Sequence, residues 1–254
     1  MVHTANSGRS AACRAGFLVF VLVVGFSGRA GAQAPPAPPP AHEGSAEFAF
    51  VGTTGNSSTQ TIGLGGEFIY RPSPWETKLK VNYVRNEAED QLRAQAIVLT
   101  LRGQRSIKPR LSGYGQYGYQ RDRFAGIVDR NTVEAGLAYA LIDAAPHKLI
   151  VDGGPGYANE HRLAGNNLST AILGAGGLYT LKLSKTSELT EDGHFVFSLA
   201  DGSDWRYGNA IALTAKITTV FSLKVSNTIR YVNLPVVTFT NTDSVTAIAL
   251  VAKF

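Results

Sequence analysis

Trp75 to Val84 reads WETKLKVNYV, and its side chains sort by parity. Trp75, Thr77, Leu79, Val81 and Tyr83 share one face; Glu76, Lys78, Lys80 and Asn82 share the other. Successive side chains of a strand point to opposite sides, so this stretch is a strand with one apolar and one polar face. A helix repeats its faces every 3.6 residues and would scramble both sets.

The alternation recurs on either side. In TQTIGLGGEFIY, Gln60, Ile62, Leu64, Gly66, Phe68 and Tyr70 oppose Thr61, Gly63, Gly65 and Glu67. Toward the C-terminus, Leu223, Val225, Ile229 and Tyr231 oppose Ser222, Lys224, Ser226, Thr228 and Arg230. Blocks of this kind, divided by turn residues, predict about twelve strands. They fall near 45–54, 59–70, 75–86, 91–105, 111–123, 130–142, 148–160, 168–180, 187–199, 205–216, 222–233 and 243–254. RPSP, KPR, AAPH and LSKT are tight connections; TTGNSS, NEAED, DRFAGIVD, HRLAGNN and NLPVVTFTNT are longer or more polar. Two blocks are ambiguous. QLRAQAIVLTLRG carries apolar residues on both faces around Ile97 to Leu101, and in LSGYGQYGYQ Tyr114 differs in parity from Tyr117 and Tyr119. A bulge would account for either.

A sheet of a dozen strands closes, curls or splits into a sandwich. Strands of about ten residues span a bilayer when tilted, whereas soluble sheets favour about five or six. Tyr70, Trp75, Trp205 and Tyr207 stand at strand ends on apolar faces, where an interfacial aromatic girdle belongs. The expected fold is therefore all-β, a closed antiparallel transmembrane β-barrel of about twelve strands over 45–254, placed in the bacterial outer membrane. A periplasmic β-sandwich or lipocalin-like barrel is the alternative. The chain ends SVTAIALVAKF, with Phe254, Ala252, Leu250, Ile248 and Thr246 on one face. Phe254 resembles the terminal aromatic that the barrel assembly machinery recognises. That machinery and outer-membrane lipid are the expected partners.

The N-terminus fits export. Arg9 and Arg14 precede the apolar run GFLVFVLVVGF, and Ala30 and Ala32 form a small-residue cleavage site, so 1–32 reads as a secretory signal peptide. Residues 33–44 contain APPAPPPAHEG, a Pro-rich linker. The leader takes Arg9, Arg14 and Arg29 and no acidic residue, so the formal charge falls from +5 by three to +2. No nucleic-acid partner is expected on that charge. Cys13 also lies in the leader, which leaves no disulfide, thiolate metal site or cysteine nucleophile.

Four pieces occur in order: GNSST (Gly55 to Thr59), YQRDRFAGI (Tyr119 to Ile127), GLAYALID (Gly136 to Asp143) and GPGY (Gly154 to Tyr157). With the closing strand they resemble the salt-induced outer-membrane protein family. The resemblance implies a Gram-negative outer-membrane barrel and no established activity, so no catalytic residue carries over. Each piece also has a physical reading. TGNSS supplies turn residues. Arg121, Asp122 and Arg123 form an ion-paired rim, or a mouth that attracts anions or lipid phosphates. Gly153, Gly154, Pro155 and Gly156 interrupt a strand as a bulge or a close packing point, and Gly174 to Gly177 read the same way.

The expected function is passive transport through a narrow pore for small solutes or ions. Glu67, Glu76, Lys78, Lys80, Lys224 and Arg230 would line the lumen and set selectivity. A non-conducting envelope barrel, supporting the membrane under osmotic or salt stress, is the second reading. An outer-membrane barrel hydrolase acting on lipid or peptide is the third. Asp192 and His194 share a face and are the only catalytic pair to name. No metal site and no cofactor are expected.

Overall fold

The computed structural model describes residues 40–53 and 59–254. The predicted signal peptide, most of the Pro-rich linker and the TGNSS turn fall outside the described residues. Twelve strands follow in chain order: β1 (His42–Thr53), β2 (Thr59–Tyr70), β3 (Trp75–Ala88), β4 (Gln91–Lys108), β5 (Leu111–Asp122), β6 (Ile127–Ala144), β7 (His147–Arg162), β8 (Leu168–Lys182), β9 (Ser187–Ser198), β10 (Trp205–Lys216), β11 (Phe221–Val232) and β12 (Thr242–Lys253). Each pairs antiparallel with its sequence neighbours, and β1 pairs with β12, so the sheet is a closed barrel with no free edge.

Parity decides what each side chain meets. Along β3, Trp75, Thr77 and Leu79 are exposed on the outside, while Glu76, Lys78 and Lys80 are half-buried within. The register carries this division around the ring: Glu67 stands opposite Lys80, Lys78 opposite Arg102, and Arg102 opposite Gln116. The outer surface holds the large apolar side chains, among them Phe48, Leu64, Leu101, Val133 and Leu173.

Closure extends past the expected start of the barrel. β1 begins at His42, inside the stretch read as linker, because β2 runs to Tyr70 and offers partners to His42, Glu43 and Gly44. Gly44 N–H donates to the Phe254 carbonyl at 2.8 Å, and Phe254 N–H donates back at 3.0 Å. The Phe254 ring lies over Gly44, where any Cβ would strike it, and remains 79% exposed.

Three local expectations need correction. NEAED is not a long connection. β3 and β4 run on until only Glu89 and Asp90 separate them, with φ of 53° and 57°. Two consecutive left-handed residues make the tight turn that matches strand twist, and Glu-Asp hides it because Asn-Gly or Asp-Gly is its usual signal. No bulge lies beside Tyr114 or at Ile97 to Leu101; the β4–β5 register is continuous from Ala96 to Ser106. Tyr114 truly points inward, 6% exposed, with the Arg102 guanidinium 3.9 Å above its ring. The shifts lie near strand ends, at Asn86/Glu87, Ser106/Lys108, Gln120/Asp122, Ile127/Asp129 and Ala140/Ile142. Finally, Gly153 to Gly156 do not interrupt β7, which is one strand. Their role is close packing: a Cβ on Gly136 of β6 would lie 2.9 Å from Gly154 Cα.

Candidate functional site

The barrel interior is charged, and its two halves differ. Among the described residues, three ion pairs of the wall formed by β4 to β10 bridge strands three apart in the ring. Arg102 on β4 meets Asp152 on β7 at 2.8 Å. Glu134 on β6 meets His194 on β9 at 3.5 Å. Glu160 on β7 meets Arg206 on β10 at 2.7 Å. Glu160 also accepts from Arg130 at 3.1 Å and Arg162 at 2.6 Å, so one carboxylate, 1% exposed, holds three guanidiniums. Shared charge-assisted bonds of this kind make burial of such a carboxylate tolerable. Ala158 and Ile172 are also fully buried here.

Glycine makes room for these long side chains. Gly174 and Gly176 leave the middle of the inward face of β8 bare. A Cβ on Gly174 would strike the Glu134 carboxylate, and one on Gly176 would lie 2.7 Å from Asp152 and 2.9 Å from His194 Nδ1. The carboxylates and the imidazole therefore lie across β8 against the wall. The GAGG run is a floor for side chains.

The opposite wall, β11 through β1 to β3, keeps its charged side chains less buried. Its ion pairs join close strands. Lys224 donates to Glu47 at 2.8 Å, and Lys78 lies 3.8 Å from Glu67. In the β2–β3 turn, Arg71 Nε donates to Glu76 at 3.0 Å and Nη2 to Glu43 at 3.2 Å. Glu67 and Lys78 keep about a third of their side-chain surface, 35% and 33%. Lys80 makes no ion pair among the described residues. The six residues singled out as lumen-lining thus all lie on the inward register, but only Lys80 is free of an acid or base partner among the described residues.

One end of this lane is crossed. Arg230 on β11 reaches Asp122 on β5 at 3.5 Å, and these strands lie six apart in the ring of twelve, on opposite sides. Asp122 also caps the short 3₁₀ turn Arg123–Ala125, accepting from Ala125 N–H at 3.1 Å. Gly126 follows at φ 78°, and a Cβ there would lie 2.7 Å from Val236 Cβ. Val236, buried, belongs to the loop 233–241, so this loop reaches the β5–β6 turn over the same mouth. Beneath it lies a cavity of about 340 Å³, lined among others by Arg130, Glu134, Arg206 and Arg230. Beside Arg206, Asp204 in the β9–β10 loop is buried; desolvation raises its carboxyl pKa, against the pull of Arg162 and Arg130.

The expected Asp192–His194 pair does not form. His194 turns over Gly176 toward Glu134, and Asp192 is exposed. Among the described residues no group of three His, Cys, Asp or Glu side chains is placed to hold a metal ion. The end aromatics sit outside. Tyr70 and exposed Trp75 mark the end of the Arg71–Pro74 turn, with Arg105 5.4 Å over the Trp75 ring. Trp205 packs on Tyr231 at 4.9 Å and Tyr207 on Phe195 at 4.3 Å at the other end. The Glu160 hub, Glu134, Arg102 with Asp152, and inward Tyr114 were not anticipated. Their even parity along β4 to β7 was a usable signal.

A twelve-stranded closed antiparallel barrel with an apolar exterior and a charged interior is a fold of the outer-membrane barrel class. The chain belongs to the family described as a protein of unknown function, DUF481, which matches residues 46–254. That match does not carry the salt-induced designation. No curated protein matches the chain. Among solved structures, the NanC porin superposes with a TM-score of 0.52 at 9% identity, covering 83% of this chain and 98% of that one. The translocator domain of the autotransporter NalP from Neisseria meningitidis gives 0.45 at 12% identity, covering 84% and 86%. The anion-selective porin from Comamonas acidovorans gives 0.40 at 9% identity, covering 84% and 98%. At such identity the NanC likeness speaks to the fold alone.

Proposed function

We propose that the chain is an outer-membrane barrel acting as a narrow passive pore for small solutes or ions. The observation that carries this is the unequal interior. The β4–β10 half is packed with paired, buried side chains, while the β11–β3 half keeps Glu47, Glu67, Lys78, Lys80 and Lys224 partly exposed in one lane. Twelve strands lie between the eight whose interior side chains fill and the sixteen that leave a wide channel. Charged groups along such a lane set ion selectivity. The turn of Arg71 to Pro74 would then face the periplasm and the 233–241 loop the exterior, as short turns and long loops do.

The test is single-channel conductance of the mature protein refolded in a planar bilayer, beside the Lys78→Glu plus Lys80→Glu variant. Discrete steps are expected, with selectivity moved toward cations in the variant. A silent bilayer holding inserted barrel would overturn the reading. It would favour the second one, a non-conducting envelope barrel, for which the Arg230–Asp122 strut and the loop over the mouth are the supporting observations.

A further inference from the structure

The outer surface is apolar around most of the ring. Phe48, Leu64, Leu79, Leu101, Val133 and Leu173 occupy it on β1, β2, β3, β4, β6 and β8. From β9 to β12 Phe195, Leu213, Leu223 and Ile248 continue it, but a polar band interrupts it. Glu191 points outward on β9, since it stands opposite the outward Tyr179 and Ile211. Asn209 on β10 and Asn227 on β11 share that surface, as do Ser244 and Thr246 on β12. Glu191 and Asn227 lie well away from the strand ends. Glu191 is the fifth of twelve residues in β9, and Asn227 the seventh of twelve in β11. With a rise of about 3.3 Å per residue and a tilt near 40°, Glu191 lies about 10 Å inside the nearer strand end.

The register aligns them into a band. Ile211 is opposite both Glu191 and Asn227, and Asn227 is opposite Thr246; one row over, Asn209 is opposite Ile229, and Ile229 opposite Ser244. Hydrogen bonds run within the band: Asn209 Nδ2 to Glu191 Oε1 at 3.0 Å, and Asn227 Nδ2 to Ser244 at 3.2 Å and Thr246 at 2.9 Å. Gly193, beside Glu191 on the same face, adds no side chain and leaves the Glu191–Asn209 pair in a notch. These bonds use one oxygen of Glu191. Its second oxygen and both asparagine carbonyls point to no partner among the described residues.

Hydrocarbon offers such groups nothing, and an ionisable residue at this depth is costly unless another protein surface meets it. The band holds free acceptors on Glu191 and both asparagines and a free N–H on Asn209, which makes it self-complementary. Two copies related by a two-fold axis along the membrane normal would set each Glu191 against the Asn209 amide of the other. We propose that the outer face of β9 to β12 is a dimer interface, and that its occupant is a second copy of this chain. The inference rests on the membrane-inserted reading of the barrel.

Site-directed crosslinking in lipid vesicles tests it, because the chain past the leader has no cysteine. Ile211→Cys, in the centre of the band, is compared with Leu79→Cys on the far side, using a short bifunctional thiol reagent. The expected result is a crosslinked dimer from Ile211→Cys alone. Adding Glu191→Leu and Asn209→Leu to Ile211→Cys should lower that dimer by about tenfold, the scale on which hydrogen bonds between membrane segments act. Insertion is scored separately, by the shift in migration of the folded barrel on heating. Inserted protein that crosslinks no better at Ile211 than at Leu79, or equally well with both leucines, overturns the dimer. Protein that never shows the heat-dependent shift overturns the membrane reading itself, and the interface with it.

Discussion

Replacing Glu160 by Gln keeps the side-chain volume and removes the one carboxylate on which Arg130, Arg162 and Arg206 converge. Two unit charges about 4 Å apart attract by about 4 kcal/mol at an effective dielectric of 20, and desolvation offsets much of that gain. Removing one partner is different from never having had the pair, since it strands the others without compensation. The usual cost for a buried pair is about 3–5 kcal/mol. Arg162 and Arg206 retain some water contact, and Asp204 stands 3.6 Å from Arg206 Nε, so the lower end, about 3 kcal/mol, applies. That is roughly a hundredfold in the folding equilibrium. Urea titration of the barrel in lipid vesicles, followed through Trp75 and Trp205 fluorescence, reads it directly. Glu160→Gln should unfold at clearly lower urea with an unchanged slope. A midpoint equal to that of the parent would refute the idea that this hub organises the packed half of the interior.

Two further outcomes follow from the mouth. Arg230→Ala removes the strut to Asp122 without touching the lane below, so single-channel conductance should rise while selectivity stays close to that of the parent; equal conductance would mean that the strut does not limit flow. Asp204 has a raised carboxyl, so the folded chain binds that proton more tightly than the unfolded chain. The stability this provides is complete in acid, below the unfolded value, and is lost as pH rises through the folded one. Asp204→Asn should therefore melt above the parent at neutral pH, with the difference closing in acid. Melting curves at both pH values check this, and a gap that persists or widens in acid would contradict it.

The strands were legible because each block of the barrel has only two environments, outside and inside, and parity separates them. Trp75, Leu79 and Val81 could be told from Glu76, Lys78 and Lys80 with no knowledge of what lay across from them. What failed was local. The Glu89–Asp90 turn opens on a glutamate in the left-handed region, where asparagine, aspartate or glycine is usual, so the hairpin looked longer than it is. Tyr114 broke the pattern because an aromatic ring can stand inside if a guanidinium covers it, and Arg102 does so. His42 to Gly44 were lost to the linker because polar and small residues pair in a sheet through their backbone, which composition does not record.

The interior was harder to see for a different reason. Alternation tells which residues enter the barrel but not which of them meet, since contacts across the interior join residues with no fixed spacing in sequence. Asp192 and His194 looked paired because strand geometry places them side by side, yet His194 turns to a carboxylate three strands away, reached over a glycine that only the closed barrel sets beneath it. The same glycines explain why the GPGY and GAGG runs stand where they do. The bare middle of the inner face of β8, with Gly154 and Gly156 of β7, lets the Glu134 and His194 side chains from β6 and β9 lie flat against the wall. The other half carries glycine at Gly63 and Gly65 on β2, but its neighbours there are shorter-reaching pairs between close strands, and those charges stay partly exposed. An added side chain at Gly174 should for that reason do more than strain β8. It would push the Glu134 carboxylate off the wall and toward the lane, which makes the packed half and the open half two consequences of one glycine pattern.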